Sequence, residues 1–256
     1  MLEKVIIHTP EEISRIRHAA AVTGQVRNSI AAEIRPGMTT FDLDQIAGEI
    51  IRATGGTSAF LGYGGFPGNI CISVNDEVIH GIGSVDRVIS DGDIVSIDVG
   101  VAIDGALGDC ATTVAVGEIA PEVRKLLENT EKALREGIKA ARSGNYIRHV
   151  AAAVEKVAVA GKLGIVRDFC GHGCGIQLHE PPEVPNYTSG SKGAFLRPGM
   201  VICIEPMLNL GSGKIKVDRR DKWTVRTCDH SMSAHFEDMI LITEKGPENL
   251  TWQKMM

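Results

Sequence analysis

Asp98 and Asp109 stand eleven residues apart in the stretch 90–116, with Asp104-Gly105 between two apolar, β-branched runs. Asp-Gly suits a type I′ turn, so the stretch predicts a hairpin with a two-residue loop. Such a hairpin pairs Asp98 with Ala111 and Asp109 with Gly100. Both carboxylates then share one face as diagonal neighbours, with Cα atoms ~7–8 Å apart. Val95, Ile97, Val99, Val101, Cys110 and Val114 fill the other face. Two carboxylates on a largely apolar sheet repel and are poorly solvated, so a proton or a cation belongs between them. A metal site is one reading, and a wet sheet face carrying two solvated carboxylates is the other; the hairpin alone leaves both open.

The densest chemistry lies further on, in 170–187, where Cys170, His172, Cys174, His179, Glu180 and Glu183 are interleaved with glycines and prolines. Glycines beside His172 predict close approach of backbone and imidazole to a ligand. A zinc knot of Cys170, His172 and Cys174 lacks both the usual two-residue cysteine spacing and a second pair of ligands. In 233–243, read as one final strand, alternation puts His235, Glu237 and Met239 on one face. The loop 60–68 holds Phe60, Tyr63 and Phe66 among four glycines. No Lys-Ser/Thr follows and no helix opens after it, which argues against a phosphate cradle.

The elements that must hold these residues are also legible. Thr9-Pro10-Glu11-Glu12 is a capping-box start for a helix to about residue 34, with an apolar stripe of Ile16, Ala19, Val22, Val26 and Ile30. Arg35-Pro36-Gly37 ends it, and a second helix fits 40–53. After the hairpin the order repeats: a helix over 121–141, a break at Arg142-Ser143-Gly144 and a helix over 146–160. The offset between the two breaks places Asp98 on Glu205, a weak internal duplication in which two related strands each present a carboxylate to one centre. The residues 214–226 read as a hairpin with Trp223 near its end. Helices segregated from antiparallel strands predict an α+β fold with helices packed on the outer side of a curved sheet. No polar linker divides the chain, so 1–256 reads as a single catalytic domain of two pseudo-symmetric halves, about 10–116 and 117–245.

Composition narrows the class. The net charge is −5, which argues against nucleic acid as the main partner, and no apolar run reaches the length of a membrane span. The N-terminus lacks the pattern of a signal peptide, so the expected location is the cytoplasm. Six scattered cysteines predict reduced thiols rather than a disulfide framework.

Taken together, Asn75-Asp76-Glu77-Val78-Ile79-His80-Gly81, the Asp98/Asp109 pair, Gly171-His172-Gly173 with His179-Glu180-Pro181-Pro182, Ile204-Glu205-Pro206-Met207 and Ser233-Ala234-His235-Phe236-Glu237 closely resemble the short bacterial type I methionine aminopeptidases. These belong to the pita-bread metallopeptidases, which also include aminopeptidase P, prolidase and creatinase. The resemblance spans nearly the whole chain. It implies the pita-bread fold and five ligands, Asp98, Asp109, His172, Glu205 and Glu237, for two divalent ions, with Asp109 and Glu237 bridging. Four carboxylates and one imidazole suit Mn, Fe, Co or Zn. The implied reaction is attack of a metal-bridged water on the first peptide bond, releasing the initiator methionine of nascent polypeptides when the second residue is small. Glu205 would handle the water's proton, His179 would stabilise the oxyanion, and His80 would hydrogen-bond the scissile amide nitrogen.

The resemblance further implies a methionine pocket of Phe60, Tyr63, Phe66, Cys71, His80, Leu178, His179 and Trp223. It also implies a monovalent cation beside Asn75 and Ser233, and a monomer. Two positions depart from the family pattern: Leu178 stands where an aromatic is usual, loosening the pocket, and His235 where Gln is usual, putting a titratable group near the metals. Lys214, Lys216, Arg219, Arg220, Lys222 and Arg226, against Asp218 and Asp221, form a basic hairpin. It reads either as a solvated hairpin or, as the resemblance implies, as a docking surface on the ribosome. The nearest rival is Xaa-Pro cleavage, since prolidase and aminopeptidase P use the same ligands, although they normally carry a large N-terminal domain that this chain does not show. A non-catalytic binding protein on the same fold is the other, disfavoured by five intact ligands.

Overall fold

The computed structural model describes residues 5–252, so the outermost residues of the 1–256 expectation, 1–4 and 253–256, lie outside the described residues. Four helices carry the outer layer. Helix α1, Pro10–Glu33, starts at the expected capping box, with Thr9 Oγ1 accepting from Glu12 N (3.2 Å) and Thr9 N donating to Glu12 Oε2 (2.8 Å). Helix α2, Thr40–Ala53, uses Thr39 and Asp42 in the same way. Helices α3, Pro121–Ala140, and α4, Ile147–Ala160, pack on one another.

All the strand pairs are antiparallel, and among the described residues they form four small sheets. Strand Ile94–Ile103 lies between Cys71–Val74 and Ala106–Ala115. The hairpin has the predicted register, Asp98↔Ala111 and Gly100↔Asp109, and both turn residues are left-handed, Asp104 at φ 53° and Gly105 at φ 69°. The second large sheet runs in the order Gly246–Asn249, Asp238–Thr243, Val201–Ile204, Gly171–Gly173, Glu180–Val184. The two sheets meet at one bridge. Ala111 N donates to Glu237 O (3.2 Å), and Glu237 N donates to Ala111 O (3.0 Å).

The stretch 233–243 is not one continuous strand. It divides into Ser233–His235 and Asp238–Thr243, because Glu237 turns its backbone hydrogen bonds to Ala111 of the other sheet.

Helix α1 spans both sheets. Ile16, Ala19 and Ala20 pack with Val201, Met239 and Leu241 of the second, whereas Val26 and Ile30 pack with Val95, Ile97 and Val99 of the first. A Cβ on Gly108 would lie 2.7 Å from Ala19 O, so glycine there lets the helix sit directly on the hairpin beside Asp109. The Arg27 guanidinium reaches from α1 to Asp238 Oδ1 (3.2 Å), with both side chains about nine-tenths buried. Asp238 also accepts from Asn249 Nδ2 (2.7 Å) and Thr251 Oγ1 (2.8 Å), so removing the cation strands a carboxylate next to Glu237. Arg27→Met is therefore expected to destabilise the fold by ~3–5 kcal/mol, as breaking one side of a buried pair does, read as a lower urea midpoint at unchanged slope.

Candidate metal centre

Cross-strand alignment brings the carboxylates together. Met207 pairs with His235 and Ile204 with Asp238 in one unbroken alignment, so Glu205 faces Glu237 between them. Glu237 bridges to Ala111, Ala111 pairs with Asp98, and Asp98 pairs with Cys71. Directly opposed residues project to the same side of a sheet. Asp98, Glu237 and Glu205 therefore form a row, and Asp109, two residues along from Ala111, joins it. His172 comes in from Gly171–Gly173, where the pairing of Gly173 with Ile202 sets it opposite Cys203.

The imidazole Nε2 of His172 lies 3.6 Å from Glu205 Oε1 and 3.8 Å from Asp109 Oδ2. Its Nδ1 sits 2.9 Å from Gly173 O, which assigns the proton to Nδ1 and leaves the Nε2 lone pair toward the carboxylates. Asp98 Oδ1, Asp109 Oδ1 and Glu237 Oε1 are buried with no hydrogen-bond partner. Burial pushes the Asp98 carboxyl up to about 7. Burial and mutual repulsion also raise Asp109, Glu205 and Glu237 well above the carboxylate range. Buried acceptors without donors, next to a free imidazole lone pair, are what a hard or borderline divalent cation satisfies.

Among the described residues, ligand atoms of Asp109, His172, Cys203 and Glu237 all lie within 4.8 Å of one another, as do those of His172, Cys174 and Cys203. Cys203 was not singled out from sequence, although its place two residues before Glu205 on the same strand face is a signal that could have found it. Burial raises its thiol well above the ordinary range, so it backs the carboxylates as a neutral S–H. All six cysteines are free.

A cavity of about 250 Å³ opens onto this centre. It is lined by every residue expected of the methionine pocket, Phe60, Tyr63, Phe66, Cys71, His80, Leu178, His179 and Trp223, together with the five expected ligands. Ile79, Phe169 and Cys170 also line it, and only the folded chain reveals them. Phe66 meets Trp223 edge-on at 5.2 Å, and Phe60, Phe66, Cys71 and Leu178 form one buried apolar cluster.

His80 adopts a left-handed backbone, φ 59°, and meets Phe169 edge-on at 5.5 Å. Burial, then His179, lowers its pKa to about 4, so it is neutral near pH 7. His179 lies 4.4 Å ring to ring from His172, and its pKa is also lowered by burial. Tyr63 does more than wall the pocket, since its hydroxyl stands 2.8 Å from His179 Nδ1. With that O–H donating, His179 keeps its proton on Nε2.

Three expectations change in detail. The glycines flanking His172 serve strand packing rather than ligand approach. A Cβ on Gly171 would lie 2.3 Å from Cys203 O, and one on Gly173 2.5 Å from Pro181 O. His235 lies 3.7 Å from Glu205 Oε2, but burial, then His80, holds its pKa down to about 3, so it does not titrate near neutrality. Asn75 and Ser233 do meet, with Ser233 N donating to Asn75 O (2.8 Å). The Asn75 side chain, however, is committed to Asp93 (2.7 Å) and Ile94 N (3.0 Å).

The buried carboxylates and the imidazole converge between antiparallel sheets, and the chain belongs to metallopeptidase family M24, which residues 14–244 match. It is 42% identical over 247 residues to the methionine aminopeptidase of Clostridium acetobutylicum, covering 96% of this chain and 98% of that relative. The crystal structure of methionine aminopeptidase from Rickettsia prowazekii superposes with a TM-score of 0.94 at 34% identity, covering 97% of this chain and all of that one. A prolidase from Pyrococcus furiosus shares the fold alone, with a TM-score of 0.77 at 24% identity, covering 98% of this chain and 66% of that one. The fold is the pita-bread fold.

Unfolded carboxyls titrate near 4, whereas in the metal-free folded chain Asp98 is raised to about 7 and its three neighbours are raised as well. Below about pH 6.5 this is opposed by His80, His172, His179 and His235, which burial keeps neutral in the folded chain and which protonate when it unfolds. Above about pH 6.5 only the carboxyls differ, the folded state holds more protons and stability falls as pH rises. In chelator, the thermal midpoint is expected to drop on going from about pH 6.5 to about pH 8. Manganese at saturation is expected to abolish that drop, and an unchanged slope with metal would contradict the assignment.

Proposed function

We infer that this chain is a metal-dependent aminopeptidase that removes N-terminal methionine from polypeptides whose second residue is small. The observation that carries this reading is the meeting, in one cavity, of a buried carboxylate centre and a closed apolar pocket. The names of the relatives supply methionine as the residue removed.

Asp98, Asp109, His172, Glu205 and Glu237 would hold two divalent ions, drawn from Mn, Fe, Co or Zn, which would supply the Lewis acidity that makes water nucleophilic at neutral pH. The protein's own groups do the rest. Glu205, kept basic only in the charged centre, takes the proton of the attacking water. His179, neutral and protonated on Nε2 through Tyr63, donates to the oxygen that gains charge at the scissile carbonyl. His80, neutral and held in its strained backbone, meets the scissile amide nitrogen.

The methionine side chain enters between Phe60, Phe66, Cys71, Leu178 and Trp223, where its sulfur gains ~0.3–1.5 kcal/mol against aromatic edges. A large second side chain crowds His80 and His179. In this reading the halves about 10–116 and 117–245 form one catalytic unit that works as a cytoplasmic monomer. A monovalent cation beside Asn75 and Ser233 would be held through main-chain carbonyls, since the Asn75 side chain is engaged. Among the described residues no helix is long and apolar enough to cross a membrane.

Docking on the ribosome through the hairpin of Ile215–Val217 and Val225–Thr227 rests on fewer free cations than the count suggests. Arg226 is held by Glu77 (2.8 Å), Asp76 (3.2 Å) and Asp218 (3.4 Å), and Arg220 by Asp218 (2.7 Å). Lys214, Lys216, Arg219 and Lys222 remain as the contact candidates.

Chelated protein is expected to release no methionine from Met-Ala-Ser and to recover with Mn, Fe or Co, while Met-Phe-Ser and Xaa-Pro peptides stay nearly uncut. Equal rates on Met-Ala-Ser and Met-Phe-Ser would overturn the pocket assignment. His179→Ala is expected to lower kcat by ~10²–10³-fold with bound metal unchanged, the usual cost of one oxyanion donor. Lys214→Glu with Lys216→Glu and Lys222→Glu is expected to abolish salt-sensitive co-sedimentation with ribosomes, and survival of that binding would remove the docking surface.

A further inference from the structure

The loop that carries Leu178 and His179 into the cavity is held by a buried pair outside the metal centre. Glu180 pairs with Gly173 across the strands, and its Oε1 accepts from Ile176 N and Gln177 N, each at 2.8 Å. Its Oε2 faces His8 Nε2 at 3.2 Å, with the two side chains only 1% and 2% exposed. The pair is a close contact rather than an aligned hydrogen bond, and neither atom has any other partner. Burial alone pushes the Glu180 carboxyl up, yet His8 and the two amides outweigh it and hold it below its ordinary value. His8 is itself anchored. It lies just before α1, its N–H donates to Gly199 O (3.0 Å), and its Nδ1 is 3.8 Å from Glu12 Oε2. The loop closes over it so tightly that a Cβ on Gly175 would lie 3.1 Å from the His8 ring.

We propose that His8 is a positioning residue for catalysis: through Glu180 it fixes the turn 175–179, and so the place of His179 over the scissile carbonyl. The proposal rests on the aminopeptidase reading. One Glu180 oxygen cannot hold two amides firmly if the other is buried without the imidazole facing it, because the carboxylate then turns toward water. Relaxation of the turn displaces His179 and its Tyr63 partner while leaving the metal ligands where they are.

The test uses the full chain loaded with manganese, and Met-Ala-Ser as substrate. His8→Phe keeps a ring without a donor and is expected to lower kcat about tenfold with KM within about twofold, since small misplacements of a catalytic group act on rate. His8→Lys restores a donor and is expected to recover kcat to within about threefold of the wild type. Hydrogen exchange at the Ile176 and Gln177 amides is expected to quicken about tenfold in His8→Phe and to return in His8→Lys. Glu180→Gln keeps an acceptor for the amides but loses the charge. It is expected to mimic His8→Phe, and the double variant to be no worse than the poorer single one. Unchanged kcat in His8→Phe, a loss that lysine does not recover, or additive losses in the double variant would each overturn the proposal. A wild-type chain that releases no methionine would refute the activity instead.

Discussion

Burial of like charge is the constraint on which the structure depends. Asp98, Asp109, Glu205 and Glu237 converge with several oxygens lacking any donor; burial raises all four carboxyls, and neighbouring carboxylates raise the last three further. Such a cluster stores unfavourable energy unless cations compensate it. A rigid frame must therefore oppose it. The Asp98 hairpin pairs over ten residues on each strand, and the Glu205/Glu237 ladder keeps one alignment from Asn209↔Ser233 through Val201↔Leu241. Backbone ladders of that length do not adjust locally, so the carboxylates cannot swing apart without breaking sheet hydrogen bonds.

Three ion pairs behind the frame carry its orientation outward. Arg27 clamps α1 to Asp238, next to Glu237. Arg226 clamps the basic hairpin to Asp76 and Glu77, four and three residues before His80, and brings Trp223 to the cavity. His8 clamps the start of α1 to Glu180, next to His179. Each pair is largely withdrawn from water, where breaking one side costs more than the intact pair contributes. They are therefore better understood as devices of alignment than as sources of net stability.

The same arrangement separates chemistry from selectivity. The cavity is lined both by the charged groups and by the apolar cluster of Phe60, Phe66, Cys71 and Leu178. The neutral imidazoles of His80 and His179 stand between them. Burial that keeps these rings uncharged near pH 7 suits them to donate toward a developing anion without adding cations that would compete with metal for the carboxylates.

Much of this was legible in the chain because it is encoded locally. The Asp104-Gly105 turn sets the hairpin register within twenty residues, and the side-chain period of two then commits Asp98 and Asp109 to one face. The capping box at Thr9 sets where α1 begins for the same reason. What sequence alone did not decide is long-range. The Ala111–Glu237 bridge joins two sheets, divides the last strand and brings the fourth carboxylate into the row. The Cys203 thiol, the Tyr63–His179 contact and the His8–Glu180 pair likewise join segments that carry no mutual pattern. Spacing reports which way a side chain faces on its own element, whereas these contacts depend on how separate elements dock, and docking is set by the packing of the apolar clusters beneath the helices.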